Sequence, residues 1–242
     1  MKKFGLLFFL LFFCLTFARI IFAQAPTDAW INEFHYDNIG ADADEFVEIV
    51  VNEEFNDLAN FTITLYNGSA SQLKLYDSEP LDNFTVGSTQ DGFTLYSFNF
   101  TDNSRSIQNG PPDGLSIDYN GTLISGQFLS YEGTFTPSDG PAAGITSSDI
   151  GVSQSGSTPT GSSVGLTGSG TQYSDFTWIN FNGTATIGTT NGSQALPVEL
   201  ISFSASIVNN GVRLNWRTET ELNNYGFEIE REVGSLQLAS GL

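Results

Sequence analysis

Along most of this chain apolar and polar residues alternate one by one, the period of a strand with one face inward. In "FVEIVV" the residues Val47, Ile49 and Val51 share a face. In "FTITLY" Phe61, Ile63 and Leu65 stand opposite Thr62, Thr64 and Tyr66. "LSIDY" groups Leu115, Ile117 and Tyr119, and "FTWINF" sets Phe176 and Trp178 against Thr177 and Ile179. No stretch beyond residue 23 sustains a helical apolar period. Asn-Gly pairs begin at Asn67, Asn109, Asn120, Asn182, Asn191 and Asn210, and such pairs favour the left-handed backbone of tight turns. Short half-buried strands punctuated in this way predict an all-β chain, folded as an antiparallel sandwich or barrel.

Two regions break the alternation. Residues 137–172 are rich in Gly, Ser, Thr and Pro and predict a long surface excursion with short edge strands, pinned by Ile145, Ile150, Val152, Val164 and Leu166. At the start, "MKK" precedes an almost continuous apolar run from Phe4 to Phe17, and "ARIIFAQA" offers small residues for cleavage. That pattern predicts a secretory signal peptide over residues 1–23, too short before Arg19 to span a bilayer comfortably. A soft stretch ends in a linker at 193–197. Beyond it the chain again reads as strands, at Leu200–Val208, Val212–Thr218 and Tyr225–Glu232.

Composition narrows the function. Without the leader, Lys74, Arg105, Arg213, Arg217 and Arg231 face 27 acidic residues, and Cys14 is gone. Nucleic acid as a partner is not expected, because phosphate binding needs clustered cations. The expected placement is exported, on the cell surface, in the periplasm or outside the cell. A mature chain without disulfides there must rely on its core.

The stretch "HYDNIGADADEFVEIVV" concentrates candidate chemistry. Asp37, Asp42, Asp44 and Glu45 are hard oxygen donors on one loop, a set that suits calcium, although the spacing of an EF-hand is absent. The competing reading is a solvated turn between strands Trp30–Tyr36 and Phe46–Val51. His35 falls on a sheet face expected to meet solvent, with neither a second His nor a Cys to complete a zinc site. The acids are expected on the exterior. "GSSVG" around Ser163 matches a nucleophile elbow in letters only, since no helix follows and His35 lies upstream. Seven Asn-x-Ser/Thr triplets, among them one at Asn191, read as chance products of Asn-rich turns beside Thr-rich strands. Tyr36, Tyr66, Tyr76, Tyr96 and Tyr131 could form a row that stacks on sugar rings, or could simply occupy strands that favour tyrosine.

The order of these segments carries a resemblance. "WINEFHYDNIGADADEFVEIVVNEEFNDLANFTITLYNG", then "FLSYEGTFTPSDGPAAGITSSDIGVSQSGSTPTGSSVGLTGSG" and "DFTWINF", resembles bacterial lamin tail domains over roughly residues 28–192. The resemblance implies an immunoglobulin-like β-sandwich at residues 24–192, without a catalytic site, serving as a binding or structural module. The segment "LPVELISFSAS…VRLNWRTETELNNYGFEIER" resembles the start of a fibronectin-type-III-like module of proteins exported by type IX secretion. Residues 198–242 are expected to be an incomplete copy of it, from a truncated chain or fragment, with its apolar face exposed or laid on the sandwich. The expected partner is a protein or an extracellular polysaccharide. The alternatives are a calcium-dependent carbohydrate-binding module and an accessory or remnant of a secreted nuclease or other hydrolase.

Overall fold

The computed structural model describes residues 28–55, 57–196, 200–209 and 211–218. The expected signal peptide at 1–23, Pro197 of the expected linker and the expected strand Tyr225–Glu232 lie outside them. The described chain forms fourteen strands. These are β1 (Ala29–His35), β2 (Phe46–Asn52), β3 (Phe61–Asn67), β4 (Lys74–Pro80) and β5 (Thr85–Gln90). β6 (Phe93–Asn99), β7 (Asp113–Tyr119), β8 (Thr122–Tyr131), β9 (Ser148–Asp149) and β10 (Ser163–Ser169) follow. The series closes with β11 (Phe176–Phe181), β12 (Gln194–Ala195), β13 (Leu200–Val208) and β14 (Gly211–Thr218). Among the described residues no helix is long and apolar enough to cross a membrane.

The fold is all-β, an immunoglobulin-like sandwich of antiparallel sheets. One sheet runs β11-β10-β1-β2-β6-β5, with β12 added beside β10, and the other runs β4-β3-β7-β8-β9. Phe61, Ile63 and Leu65 of β3, with Leu115 and Ile117 of β7, meet Ile31, Phe34, Val47 and Ile49 of the facing sheet in one core. The two-residue turn Asn120–Gly121 joins β7 to β8 with φ +52° and +75°, the left-handed pair that Asn-Gly favours. Asp91–Gly92 does the same between β5 and β6, at φ +53° and +80°.

Three expectations need correction. First, β1 and β2 are not half-buried: every residue of β1 is buried, and so is all of β2 before Asn52. Their second face lies under the segment 182–196, which crosses the sheet and whose Ser88 N–H to Gly188 carbonyl bond (2.7 Å) ties it to the edge strand β5. A side chain on Gly87 would sit 2.6 Å from that carbonyl, so glycine is required there. Secondly, residues 137–172 are not a surface excursion throughout. Val164 and Leu166 lie on β10, an interior strand between β11 and β1, while Ile145 is exposed. Only β9 is a short edge strand, paired with β8. Thirdly, the Thr64 and Tyr66 face of β3 is also buried, Tyr66 under a small second cluster with Phe128, Phe135 and Ala142.

β13 and β14 form a separate two-stranded ribbon. Its register sets Phe203 against Trp216, Ala205 against Leu214 and Ile207 against Val212 on one face, with Ser202, Ser204, Ser206, Arg213 and Arg217 on the other. Phe203, Ile207 and Val212 are exposed.

Candidate functional site

Several connections meet at one end of the sandwich. β1 and β2 are joined there by residues 36–45, β3 and β4 by 68–73, and β7 begins there at Asp113, paired with both Asn67 and Tyr131. A cleft of about 450 Å³ opens between these segments, lined by Asp42, Asn67, Ser69, Gln108, Asn109 and Asp113 together with residues 106, 107, 110 and 111.

The walls are built rather than loose. Asp113 is the keystone: its Oδ1 accepts the Gly68 N–H and its Oδ2 the Gly110 N–H, each at 2.9 Å. It therefore clamps the two turns that flank the cleft. Asn109 donates to Asp42 Oδ2 at 3.2 Å, and Asn67 donates to Gln108 Oε1. Behind the wall the Gln108 N–H donates to the Tyr76 hydroxyl (2.8 Å), and the Tyr131 hydroxyl donates to the Gln108 carbonyl. Gly68 is required by close approach, since a Cβ would fall 2.3 Å from the Pro112 carbonyl and 2.5 Å from the Phe135 ring.

The electrostatics of this end are one-sided. Burial pushes the Asp113 carboxyl up to about 6, against the two N–H bonds that favour its charge, and Glu132 adds to the rise. Glu45 is pushed up to about 7 by burial first, then by the charges of Asp42 and Asp37. Burial and then Asp42 raise Asp37 in turn. Arg105 does not compensate them. Its guanidinium binds Asp77 (2.8 and 2.5 Å) and Glu79, and its carbon lies 5.2 Å and 5.0 Å from the Phe98 and Phe100 ring centres.

The four acids proposed for calcium are placed differently. Asp42 and Asp44 are exposed, Asp37 is half-buried, and Glu45 turns inward, where its Oε2 accepts the Ile107 N–H at 3.1 Å. Among the described residues no three His, Cys, Asp or Glu side chains are grouped so as to hold a metal ion. The loop is also less solvated than a simple acidic turn, because Asn38 and Glu45 are each 1% exposed.

His35 is a second correction: it is buried, not on a solvent-facing surface. Gln154, whose Oε1 accepts the Tyr36 N–H at 2.8 Å, turns its amide nitrogen to His35 Nδ1 at 2.8 Å. Asn38, whose Oδ1 accepts the Ala43 N–H at 3.0 Å, faces His35 Nε2 at 3.1 Å. A donor on Nδ1 and an acceptor at Nε2 fix the neutral ring with its proton on Nε2. The ring pins two loops.

The expectation that acids decorate the exterior fails for Glu33, Glu48, Asp113 and Asp118, all buried. Ser163 is buried too, and its hydroxyl donates to Glu33. The tyrosine row is not a surface: Tyr36, Tyr66 and Tyr131 are buried, and Tyr36 stacks on Tyr131 at 3.9 Å. Asn191 is 1% exposed and hydrogen-bonds the Leu166 carbonyl, which removes it as a glycan acceptor in the folded chain.

Sequence reasoning placed Asp42 in a candidate loop but missed Asn67, Gln108, Asn109 and Asp113. The Asn-Gly pairs at 67 and 109 and the run "GPPDG" at 110–114 were the available signal. Comparison of the chain with protein-family models, with characterised proteins and with solved structures gives no match in any of the three.

Proposed function

We propose that the chain is a non-catalytic binding module, exported from the cell, that engages its partner through the cleft at the Asp113 end of the sandwich. The resemblance to bacterial lamin tail domains and the leader-like residues 1–23 support export and a passive role. One observation carries the reading: a cleft lined mainly by polar and acidic residues, whose walls are tied together by hydrogen bonds through Asp113, Gln108 and Asn109 on a two-sheet frame. Pre-organised loops at a sandwich end suit recognition, because little ordering entropy remains to be lost on binding.

Neither the histidine nor the serine of the nucleophile-elbow-like stretch is available for chemistry. The His35 ring is sealed between two amides, and the Ser163 hydroxyl is committed to Glu33 beneath the crossing segment. Neither lines the cleft.

The test is a binding screen of the purified protein against arrayed glycans, with and without calcium, and against immobilised extracellular proteins. Saturable binding that is lost in Asn67→Ala with Gln108→Ala supports the reading. Metal-dependent phosphodiester or glycoside hydrolysis well above background overturns it. Binding of glycans only in the presence of calcium favours the carbohydrate-module alternative.

A further inference from the structure

We propose that the cleft receives a cationic side chain, the ammonium or guanidinium group of a lysine or arginine in a basic segment of a partner protein. This rests on the reading of the cleft as the binding surface and names its occupant.

The lining decides the chemistry. Asp42 and Asp113 are the charged groups of the cleft, and the amide and hydroxyl groups of Asn67, Ser69, Gln108 and Asn109 offer oxygen acceptors around them. Asp42 is exposed, with its two oxygens accepting the Asn38 N–H (3.4 Å) and the Asn109 amide (3.2 Å), whereas Asp113 sits at the buried base. The surrounding charges reinforce them. Asp37 stands beside Asp42, Glu132 acts on Asp113, and Asp37 and Asp149 act on Glu132. Glu45 lies behind Ile107 with its Oε1 buried and without a hydrogen-bond partner.

Cations are few at this end. Arg105 is held by Asp77 and Glu79. Lys74, opposite Asn67 on β4, is exposed and does not line the cleft. Like charges that raise one another's affinity for protons are stabilised by an incoming cation for the same reason. Pro111, exposed at the rim, supplies apolar surface suited to the methylene stem of lysine or arginine.

A neutral sugar fits less well. No aromatic side chain lines the cleft, and Tyr36, Tyr66 and Tyr131 are buried, so a pyranose ring finds no stacking face there. An anionic ligand meets only repulsion.

The experiment measures binding of fluorescein-labelled hexalysine by anisotropy at physiological salt, with hexaglutamate and maltohexaose as parallel probes. A strongly acidic protein attracts polycations everywhere, so the comparison is between two single neutralisations. Asp42→Asn removes a charge at the cleft, and Glu54→Gln removes one from an exposed position past the opposite end of β2. Asp42→Asn is expected to weaken hexalysine at least about fivefold while Glu54→Gln changes it less than about twofold. Ser106→Asp, which adds a charge at the exposed rim, is expected to tighten it.

Equal losses in Asp42→Asn and Glu54→Gln overturn the proposal, as does absent hexalysine binding or an unchanged affinity in Ser106→Asp. Binding of maltohexaose without hexalysine overturns the cationic occupant but leaves the binding-module reading standing. If the cleft variants alter no ligand in the wider screen, that reading falls as well.

Discussion

Glu33 and Glu48 lie directly opposite each other on β1 and β2, and neither has any exposed surface. Two buried like charges in neighbouring positions destabilise the ionised pair. Burial raises both carboxyls, and for Glu48, pushed up to about 8, the charge of Glu33 is the next cause. Both carboxyls grip the crossing segment. Glu33 accepts the Thr186 N–H (3.0 Å) and hydroxyl (2.7 Å), and Glu48 accepts the Gly188 N–H (2.6 Å) and the Asn32 amide (3.0 Å). The pair covers the sheet by holding residues 186–188 against it.

Glu48→Gln removes the charge and keeps one of the two accepting oxygens, its NH2 group facing the other donor, so it is expected to cost about 1 kcal/mol at neutral pH. Glu48→Ala abandons the Gly188 N–H and the Asn32 amide and opens a void. It is expected to cost about 2–4 kcal/mol. Urea unfolding of both variants measures the difference. Equal loss in the two would mean that the ionised form is the one the fold requires.

Stability should fall as pH rises through the neutral range. Glu45, Glu48, Asp113 and Asp118 all have folded-state values above the unfolded ones, at about 7, 8, 6 and 6. The folded chain therefore binds protons more tightly than the unfolded chain. The stability contributed by each group is complete below its unfolded value near 4 and is lost as pH climbs to its folded value. Self-repulsion of the acidic surface acts in the same direction. The urea midpoint is expected to be highest near pH 4 and to fall steadily toward pH 8, where stability is lower by several kcal/mol. In Glu48→Gln the slope between pH 6 and 8 should flatten. A flat or rising profile would contradict the burial of these carboxylates.

The alternation of Phe61, Ile63 and Leu65 made the inner face of β3 readable, because a period of two needs no tertiary knowledge. The same period misled at β1 and β2. Glu33, His35 and Glu48 look like solvent-facing positions, and only long-range events bury them, the crossing of residues 182–196 over the two glutamates and the approach of Gln154 to His35. Val164 and Leu166 sit in a Gly/Ser-rich stretch whose composition suggests a loop. Pairing on both sides by β1 and β11 overrides it. The cleft was legible only in part. Asp42 stands in a visibly acidic loop, but Asp113 becomes a clamp only once Gly68 and Gly110, one of them 45 residues away, are brought to its two oxygens.

His35 fixes the loops it touches by geometry alone. Its neutral ring should show the nitrogen-shift pattern of a proton on Nε2, in long-range proton–nitrogen spectra at pH 7. His35→Ala leaves the Gln154 amide nitrogen without its His35 partner and is expected to cost about 2–3 kcal/mol. Hydrogen exchange should accelerate at Tyr36 and Ala43, whose N–H groups donate to Gln154 and Asn38. A ring protonated on Nδ1 would contradict the assigned partners.

Arg105 anchors the segment between β6 and β7 to the edge strand β4. A planar fork suits Asp77 and Glu79 together and stacks on Phe98 and Phe100, which a lysine cannot reproduce. Arg105→Lys is expected to lose about 1 kcal/mol and Arg105→Ala about 2 kcal/mol, most of it retained at high salt because the stacking and packing losses are not screened. Because the same segment forms one wall of the cleft, both variants should also weaken ligand binding. Unaltered binding in Arg105→Ala would show that Asp113 holds the wall unaided.

The ribbon of β13 and β14 tests a different balance. Its apolar face carries Ile207 and Val212 as cross-strand partners, both exposed, at 87% and 66%. A two-stranded ribbon alone is marginal in water, and an exposed apolar face of this kind promotes association. Ile207→Ser with Val212→Ser removes that surface without touching the sandwich core. The melting temperature of the sandwich is expected to move by less than about 2 °C, since surface changes remote from buried features stay small. Binding of a hydrophobic dye and light scattering at high protein concentration should both fall. A large drop in melting temperature would mean instead that this face is covered in the folded chain and stabilises the body it lies against.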